Sequence, residues 1–563
     1  MMKAPSQRMN RDEAVGQALS EEGSTTLSDV SGTAGDTREF SAAQRAALGA
    51  LIGLARPDDD VTEEVYAGAG AVPGRAAAGG HSFAGPDGSL GPGLPVLVAP
   101  GEATRGALAE RYDVPAAWFS TGKAPMWTMV TVVTFTAIVA RYGTFIWAHP
   151  AYRPLIGMWA ASTAMAAIQW IASWRDQPAS PGLGDEAELD CLRLVVNVPV
   201  YNEAPEILDR CLWALVNQSR PPQRIDVVDD GSTEDYAAIR EHWTGPGCPV
   251  DVTWQRQVNS GKRVAQACTF VADPAADIFV TVDSDSAVEH RALEHGLVPF
   301  ANPDVQSVAG VVLTDNFRAN FYTQNINVRS LFFQVIACAT QSVFGGVLVN
   351  RGPLALYRAQ LMRDVVPLYV SETFLGRDVQ LGDDAALTLF AQGRGKTVQQ
   401  SDAFVFSAYP ETLSHHLRQW TRWMRGSTIR NCWRIKYLRP GSFGWWFTFF
   451  TNFAFWPSCA IPFVIAFTWQ QSEHILPWLL AVTLVWGYIA GVRCLAIRRS
   501  DETRWDRIMI VLEYPSATLW AMLVLRWIRI YGIATCLRQG WNTRQQGAES
   551  LANVVQAAGK ASS

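Results

Sequence analysis

Apolar stretches at about residues 125–147, 154–174, 443–469, 475–497 and 508–530 frame one long polar segment. Each is near or above the roughly 20 residues that an α-helix needs to cross a bilayer. Such a chain is confined to folds in which the polar segment projects from one side of a membrane. The linker 149–153 is too short to hold a domain, so residues 119–175 are expected to form a transmembrane hairpin. The side is set by charge: the loop 498–507 carries Arg498, Arg499, Arg504 and Arg507, whereas 470–474 carries no Arg or Lys. The positive-inside rule then puts the former, and the polar segment with it, in the cytosol. Arg526, Arg529 and Arg538 flank the last stretch and also read as cytosolic. One crossing per stretch would leave the C-terminus outside, so one stretch within residues 441–535 is expected to be re-entrant or split. Pro457 and Pro515 are the expected break points.

The chain's 563 residues exceed what a single core supports, and several units are expected. Residues 1–118 are rich in Gly, Ala, Ser, Pro and acids, including Asp58, Asp59 and Asp60, and read as a disordered acidic tail. No basic and apolar leader is expected at the start. The 47 basic and 52 acidic residues give no electrostatic footprint for nucleic acid. Nine Cys without zinc-like spacing read as buried thiols, and 22 Trp cluster near the apolar runs, as at a membrane interface. Within 176–410, β-rich runs at 192–198, 224–228, 250–255, 278–282 and 308–314 alternate with amphipathic helices such as 205–217. That is the pattern of an α/β domain. Residues 411–440 are basic and amphipathic, with Trp420, Trp423 and Trp433, and suit a helix lying in the membrane interface with Trp420 against lipid.

The chemistry sits at strand ends, where an open α/β sheet forms its ligand crevice. The first expected strand runs into Tyr201 and Glu203, and the second into Asp229 and Asp230; these acids suit the ribose and base of a nucleotide. Asp-Asp-Gly-Ser alone is an ordinary turn. The third end is Asp283-Ser284-Asp285, whose paired carboxylates let Mg2+ or Mn2+ bridge to diphosphate oxygens. Further on, Gly382-Asp383-Asp384 offers a carboxylate able to take a proton from an attacking hydroxyl, with Asp384 the candidate base. A solvated acidic turn, also served by Asp378, explains that spacing equally well. Gln419 and Arg422, three residues apart on a helix, share a face next to Trp423. Arg422 suits a diphosphate and Trp423 a sugar ring.

Taken in order, these motifs resemble the processive membrane synthases of glycosyltransferase family 2, which make hyaluronan, chitin and cellulose. The resemblance covers about residues 127–544 and is strongest to hyaluronan synthases. It rests on Ser260-Gly261-Lys262-Arg263, on the run from Gln341 through Gly352-Pro353 to Arg358, and on Leu381-Gly382-Asp383-Asp384. It extends to Gln-x-x-Arg-Trp at 419–423 and to Trp541-Asn542-Thr543-Arg544. It implies a GT-A catalytic domain at 176–410 inserted between transmembrane helices, and inversion at the anomeric carbon. Tyr201, Glu203, Asp229 or Asp230, Lys262, Arg263, Asp283, Gln419, Arg422 and Trp423 would contact the UDP-sugar, and Asp283 and Asp285 the metal. Asp384, with Asp383, would be catalytic, and Gly352, Pro353 and Trp423 would meet the acceptor. Trp541 and Arg544, in the segment 536–563, would close over UDP from the cytosol. The implied partners are UDP-sugars, a growing polysaccharide and the lipid bilayer of the plasma membrane. Asn542, Ala385 and Asn350-Arg351 depart from the hyaluronan synthase pattern, which usually has Gly, Arg and Cys-Ser there. A homopolymer made from one UDP-sugar fits the residues too, whereas a transporter or scaffold with a decayed domain is disfavoured by the intact set of acids.

Overall fold

Parallel strands buried on both faces are mainly apolar, as in Leu194–Val200 (β1) and Ile278–Thr281 (β4); Arg224–Asp229 (β2) contributes Ile225, Val227 and Val228, and its buried Asp226 is met by Arg224 and Thr253. They are drawn from a computed structural model that describes the backbone of residues 156–182, 184–467 and 491–539, with shorter pieces between 112 and 148 and at 487–488. All belong to one compact unit, residues 73–563. Asp251–Arg256 (β3), Ser286–Val288 (β5), Val305–Thr314 (β6), Ala355–Arg358 (β7) and Lys396–Ser407 (β8) complete an eight-stranded sheet in the order β3-β2-β1-β4-β7-β6-β8-β5. The first four strands are parallel; β7 is antiparallel to both β4 and β6, and β5 is antiparallel to β8.

The expected strands are all present, within one to three residues of their expected ends. Helix α1, Pro205–Val216, begins with Pro at its first turn, where the missing N–H costs nothing, and buries Leu208, Cys211 and Leu212. Three strands escaped the sequence pattern: β5 and β7 are too short, and Gln399, Gln400, Ser401 and Asp402 interrupt β8 at an irregularity in its pairing with β6. The buried amide of Gln334 lies against β6: its Oε1 accepts from Val312 N, and its Nε2 donates to Val312 O.

Helix α2, Lys262–Ala272, and helix α3, Asp383–Arg394, rise from the site end of the sheet. Helix α4, Phe321–Phe332, is started by an Asn320–Thr323 capping box. Helix α5, Leu413–Tyr437, follows β8 and packs against α3. Helices then run over Phe443–Phe467, and from Arg504–Trp520 through a π-helical turn at Ala521–Leu525 into Arg526–Ala534.

Among the described residues one helix, the 31-residue Arg504–Ala534, is long and apolar enough to cross a membrane. At about 1.5 Å per residue it spans roughly 46 Å, more than the hydrocarbon core of a bilayer. The break expected at Pro515 is absent, because Pro515 sits inside this continuous helix, and Pro457 likewise lies inside Phe443–Phe467. A helix tolerates the lost N–H where neighbours fill in: a Cβ at Gly487 would lie 3.2 Å from the Pro515 ring, so the partner backbone approaches closely there. The C-terminal end of the expected disordered tail is ordered as well. Tyr112 is buried, and Ala116–Ala117 pairs antiparallel with Ile497–Arg498. Residues 1–111 and 468–486 lie outside the described residues.

The eight-stranded sheet and the C-terminal helices are joined by buried arginine. Arg499 is buried, donates to Thr314 O at the end of β6, pairs with Asp501 at 2.7 Å and lies over the Phe317 and Phe406 rings at 4.6 and 5.0 Å. Arg318 pairs with Asp506 in the first turn of the long helix. Replacing Arg499 with Met breaks a buried charged network, and a loss of about 3–5 kcal/mol is expected. It would be read as a lower thermal unfolding midpoint of the purified protein; an unchanged midpoint would show that this joint carries no stability.

Candidate active site

Two loops and two helices bring four charged side chains to one point. Gly261, at φ +91°, takes a backbone conformation open mainly to glycine and so lets Lys262 begin α2 directly beyond the loop. The Lys262 Nζ lies 2.6 Å from Asp283 Oδ1, 3.0 Å from Asp383 Oδ2 and 3.9 Å from Asp384 Oδ1. Burial works against the ammonium, but the carboxylates of Asp283, Asp383 and Asp384 outweigh it and hold Lys262 well above the usual lysine range. Within the acidic pair the protons divide unequally. Burial, then the Asp383 charge, pushes Asp384 well above the carboxylate range; Asp383, also buried but the nearer of the two to Lys262, falls below it.

Gly352 closes the other side. Its N–H donates to Asp384 Oδ2 at 2.9 Å, and a Cβ there would fall 2.9 Å from Asp283 Oδ2 and 3.1 Å from both Asp384 oxygens. Asp283 and Asp384 therefore flank the bare backbone of Gly352, in the loop that also holds Pro353. The loop is tied to α3 by Asn350 N donating to Thr388 Oγ1 at 2.9 Å and by Thr388 Oγ1 donating to Asp384 O at 2.7 Å.

The Gln-x-x-Arg-Trp helix reaches this point through a glycine pair. Gly382, at φ +74°, caps α3, and a Cβ on Gly426 of α5 would lie 3.2 Å from its Cα. Behind the contact, Glu372 receives both Arg263 and Arg430. Arg430 holds it with two bonds of 2.6 and 2.7 Å and also donates to Gly382 O, while Arg263 donates to Leu381 O. The structure thus commits Arg263 to bracing the Gly-Asp-Asp turn, where a donor contact was expected. Glu372 and Arg430 were not legible: Glu372 lies in an unpatterned loop, and Arg430 is one arginine among many on a basic helix.

The remaining expected residues divide in the same way. Asp230 is fully occupied, accepting from Gln257 Nε2, Ser260 N and Gly261 N at 2.6, 2.8 and 2.9 Å, so it shapes the loop that presents Lys262. Asp229, also buried, accepts from Ser232 N and lies 3.5 Å from the exposed Arg256. Tyr201 follows β1, whose last residue pairs with Asp229. Glu203 accepts from Ser284; burial, then the charges of Asp285, Asp283 and Glu203, pushes the nearby Cys211 thiol up against the opposing Arg210. Asp285 lies in the turn between β4 and β5. Gln419 Oε1 is buried without a partner, and Trp423 is partly exposed, edge-on to Tyr409 and Trp420. Arg422 lies on the same turn of α5. Trp420 does not face lipid as expected; it packs inward, with the Arg329 guanidinium 4.6 Å over its ring and His416 beside it. Asp378 lies on an exposed two-stranded turn. Trp541 and Arg544 lie outside the described residues.

Among the described residues no group of three or more His, Cys, Asp or Glu is arranged to hold a metal by itself. The pair Asp283 and Asp285 fits the chemistry of Mg2+ or Mn2+, which take one or two carboxylates and complete their shell with water and phosphate oxygens.

A mixed α/β sheet with acids at the strand ends, a lysine among them and a Gln-x-x-Arg-Trp helix alongside defines a nucleotide-sugar transferase. Residues 278–490 match the family model described as glycosyl transferase family group 2. Over that segment the chain carries a glycosyltransferase family 2 domain. Hyaluronan synthase of Streptococcus pyogenes is 28% identical over 353 residues, 62% of this chain and 82% of the relative. An N-acetylglucosaminyltransferase of Rhizobium meliloti (strain 1021) is 32% identical over 242 residues, 42% of this chain and 55% of the relative. A mannosyltransferase from Pyrobaculum calidifontis, solved with GDP-Man and Mn2+, aligns over 65% of this chain and 98% of its own at 18% identity and TM-score 0.43, too loosely to bear on the chemistry.

The Gly352 geometry leaves no room for a side chain. Gly352→Ala is expected to displace Asp283 or Asp384 and to lower sugar transfer by about 10²-fold, the scale of a 1 Å misplacement, with little change in thermal stability. Near-normal turnover would show that this close approach is not required.

Proposed function

We propose that this chain is a processive, inverting glycosyltransferase that polymerises UDP-sugars on the cytosolic face of the plasma membrane and passes the polysaccharide outward through its own helices. The product proposed is of hyaluronan type, from UDP-GlcNAc and UDP-glucuronate. The observation that carries this reading is the convergence of Lys262, Asp283 and Asp384 on Gly352 beside the Gln-x-x-Arg-Trp helix. The catalytic domain is assigned to 176–410, the interfacial helix to 411–440 and the membrane helices to 119–175 and 441–535.

In this reading Tyr201 and Asp229 bind the uridine, while Asp230, through Ser260 and Gly261, holds the loop that aims Lys262 at the diphosphate. Asp283 and Asp285 would hold a divalent cation, which neutralises charge on the departing UDP. Arg422 and Gln419 approach the diphosphate from α5, and Trp423 offers its face to a sugar ring. Asp384, in its ionised form, removes the proton from the acceptor hydroxyl as it attacks the anomeric carbon, and the proton affinity that burial and Asp383 give it makes it the stronger base of the pair. The Gly352 N–H, donating to Oδ2, fixes the carboxylate plane and leaves Oδ1 for that proton. Asp383, paired with Lys262, keeps the ammonium in place. Arg263, Glu372 and Arg430 keep the Gly-Asp-Asp turn against α5.

A second reading, a homopolymer synthase using UDP-GlcNAc alone, draws support from the similarity to N-acetylglucosaminyltransferases and from Asn350 and Ala385. Incubating the purified protein with each donor alone and with both separates the two. Polymer only with both donors is expected; polymer from UDP-GlcNAc alone would favour the second reading. In the same assay Asp384→Asn is expected to lower polymer synthesis by about 10²–10⁴-fold, the range for general-base catalysis, with UDP affinity largely kept. Retained synthesis by that variant would remove Asp384 from its role.

A further inference from the structure

Next to Gly352 the polypeptide collects positive charge that it does not neutralise. Arg351 donates from NH1 to Ser330 Oγ at 2.7 Å and lies 4.7 Å over the Phe333 ring. Arg329, adjacent to Ser330 on α4, stacks at 4.6 Å on Trp420 of α5. Among the described residues neither guanidinium has a carboxylate within salt-bridge distance. By contrast, Arg263 and Arg430 behind the site are paired with Glu372, and Arg499 at the sheet edge with Asp501. Burial pulls Arg329 down from the ordinary arginine range, and the neighbouring Arg351 adds to the effect. Partly buried cations without a counter-ion are costly to a fold unless something supplies the negative charge.

The same elements carry buried polar atoms that have no partner among the described residues: Asn325 Nδ2 on α4, Asn350 Nδ2 and Oδ1 in the Gly352 loop, and His416 Nδ1, Gln419 Oε1 and Trp420 Nε1 on α5. Buried donors and acceptors are nearly always satisfied, and so many on facing elements point to a polar ligand. The residues also form a path. From Asp384 it passes through Gly352 and Arg351 to Ser330 and Arg329, then to Trp420 and His416, whose ring lies 6.2 Å from Trp520 on the membrane-capable helix. Aromatic rings and hydroxyl-pairing amides suit sugars of any kind. Two guanidiniums held over aromatic rings suit a planar carboxylate, to which arginine donates two parallel hydrogen bonds.

We propose that Arg329 and Arg351 form a binding site for the carboxylate of an acidic sugar in the nascent chain, and so select a uronate-containing polymer. This deepens the transferase reading and rests on it. The ligand is a sugar carboxylate in an oligosaccharide, distinct from the donor diphosphate.

The test uses the full-length protein in lipid nanodiscs with saturating UDP, so that the diphosphate site is filled. Binding of an oligosaccharide alternating glucuronate and N-acetylglucosamine is compared with that of an equally long N-acetylglucosamine oligomer. The wild type is expected to prefer the acidic ligand by at least about tenfold, the scale of one charge-assisted hydrogen bond, and to lose preference as salt rises. Arg351→Gln and Arg329→Gln are each expected to remove most of the preference, and Arg351→Lys to keep part of it. Equal binding of both ligands by the wild type, binding of neither, or preference retained in both Gln variants would overturn the proposal. The wild-type comparison decides the matter even where a variant fails to fold. UDP release from wild type supplied with common UDP-sugars is measured alongside. Turnover without acid preference overturns this proposal alone, whereas absence of turnover with any donor overturns the transferase reading.

Discussion

The site depends on one desolvated ammonium held by three carboxylates. Lys262 would not stay charged in its enclosed position alone, and Asp283, Asp383 and Asp384 would repel one another without it. Each partner comes from a different part of the chain: Lys262 from the start of α2, Asp283 from beyond β4, and the acidic pair from the first turn of α3. The attraction therefore fixes the register of three elements at once. The surrounding devices serve this point. Asp230 ties down the Ser260-Gly261 loop, the left-handed Gly382 turns the chain sharply into α3, and the Arg263–Glu372–Arg430 cluster holds that turn against α5.

Close backbone approaches, more than side-chain recognition, bring the C-terminal helices to the sheet. The Gly382 and Gly426 backbones touch, and a Cβ on Gly532 would lie 2.6 Å from the Met424 Cβ, so α5 is pressed between the Gly-Asp-Asp turn and the helix Arg526–Ala534. Buried Arg499 and the Arg318–Asp506 pair fasten the start of the long helix to the sheet edge. The membrane-capable helix is thereby packed directly against α5. In the proposed function this connects transfer of a sugar to displacement of the chain that carries it.

Much of this was legible in the sequence, for identifiable reasons. Strands buried on both faces show as apolar runs, so β1 and β4 stood out, and Ile225, Val227 and Val228 marked β2; their ends carried Asp229 and Asp283 to the crevice. The antiparallel β7 and β5 did not, being only four and three residues long. Asp383 and Asp384 were found as a motif, but their tie to Lys262 depends on a fold that joins positions over a hundred residues apart. Asp230 and Arg263 were assigned to ligand because an acid or arginine in a motif carries no mark of an internal partner. Trp420 was assigned to lipid from composition, whereas Arg329 claims its ring. Pro515 was read as a break, but tertiary packing keeps the helix continuous. Trp541 and Arg544 remain sequence expectations outside the described residues.

The central claim is that Lys262 organises the carboxylates on which transfer depends. Its most direct test is the rate of UDP release by purified Lys262→Met, measured with its thermal midpoint. Neutralising the ammonium while keeping the side-chain length should leave a folded protein whose turnover falls by about 10²-fold or more, the scale for removing a preorganised charge from an active site. A folded variant that releases UDP at the wild-type rate would contradict the account.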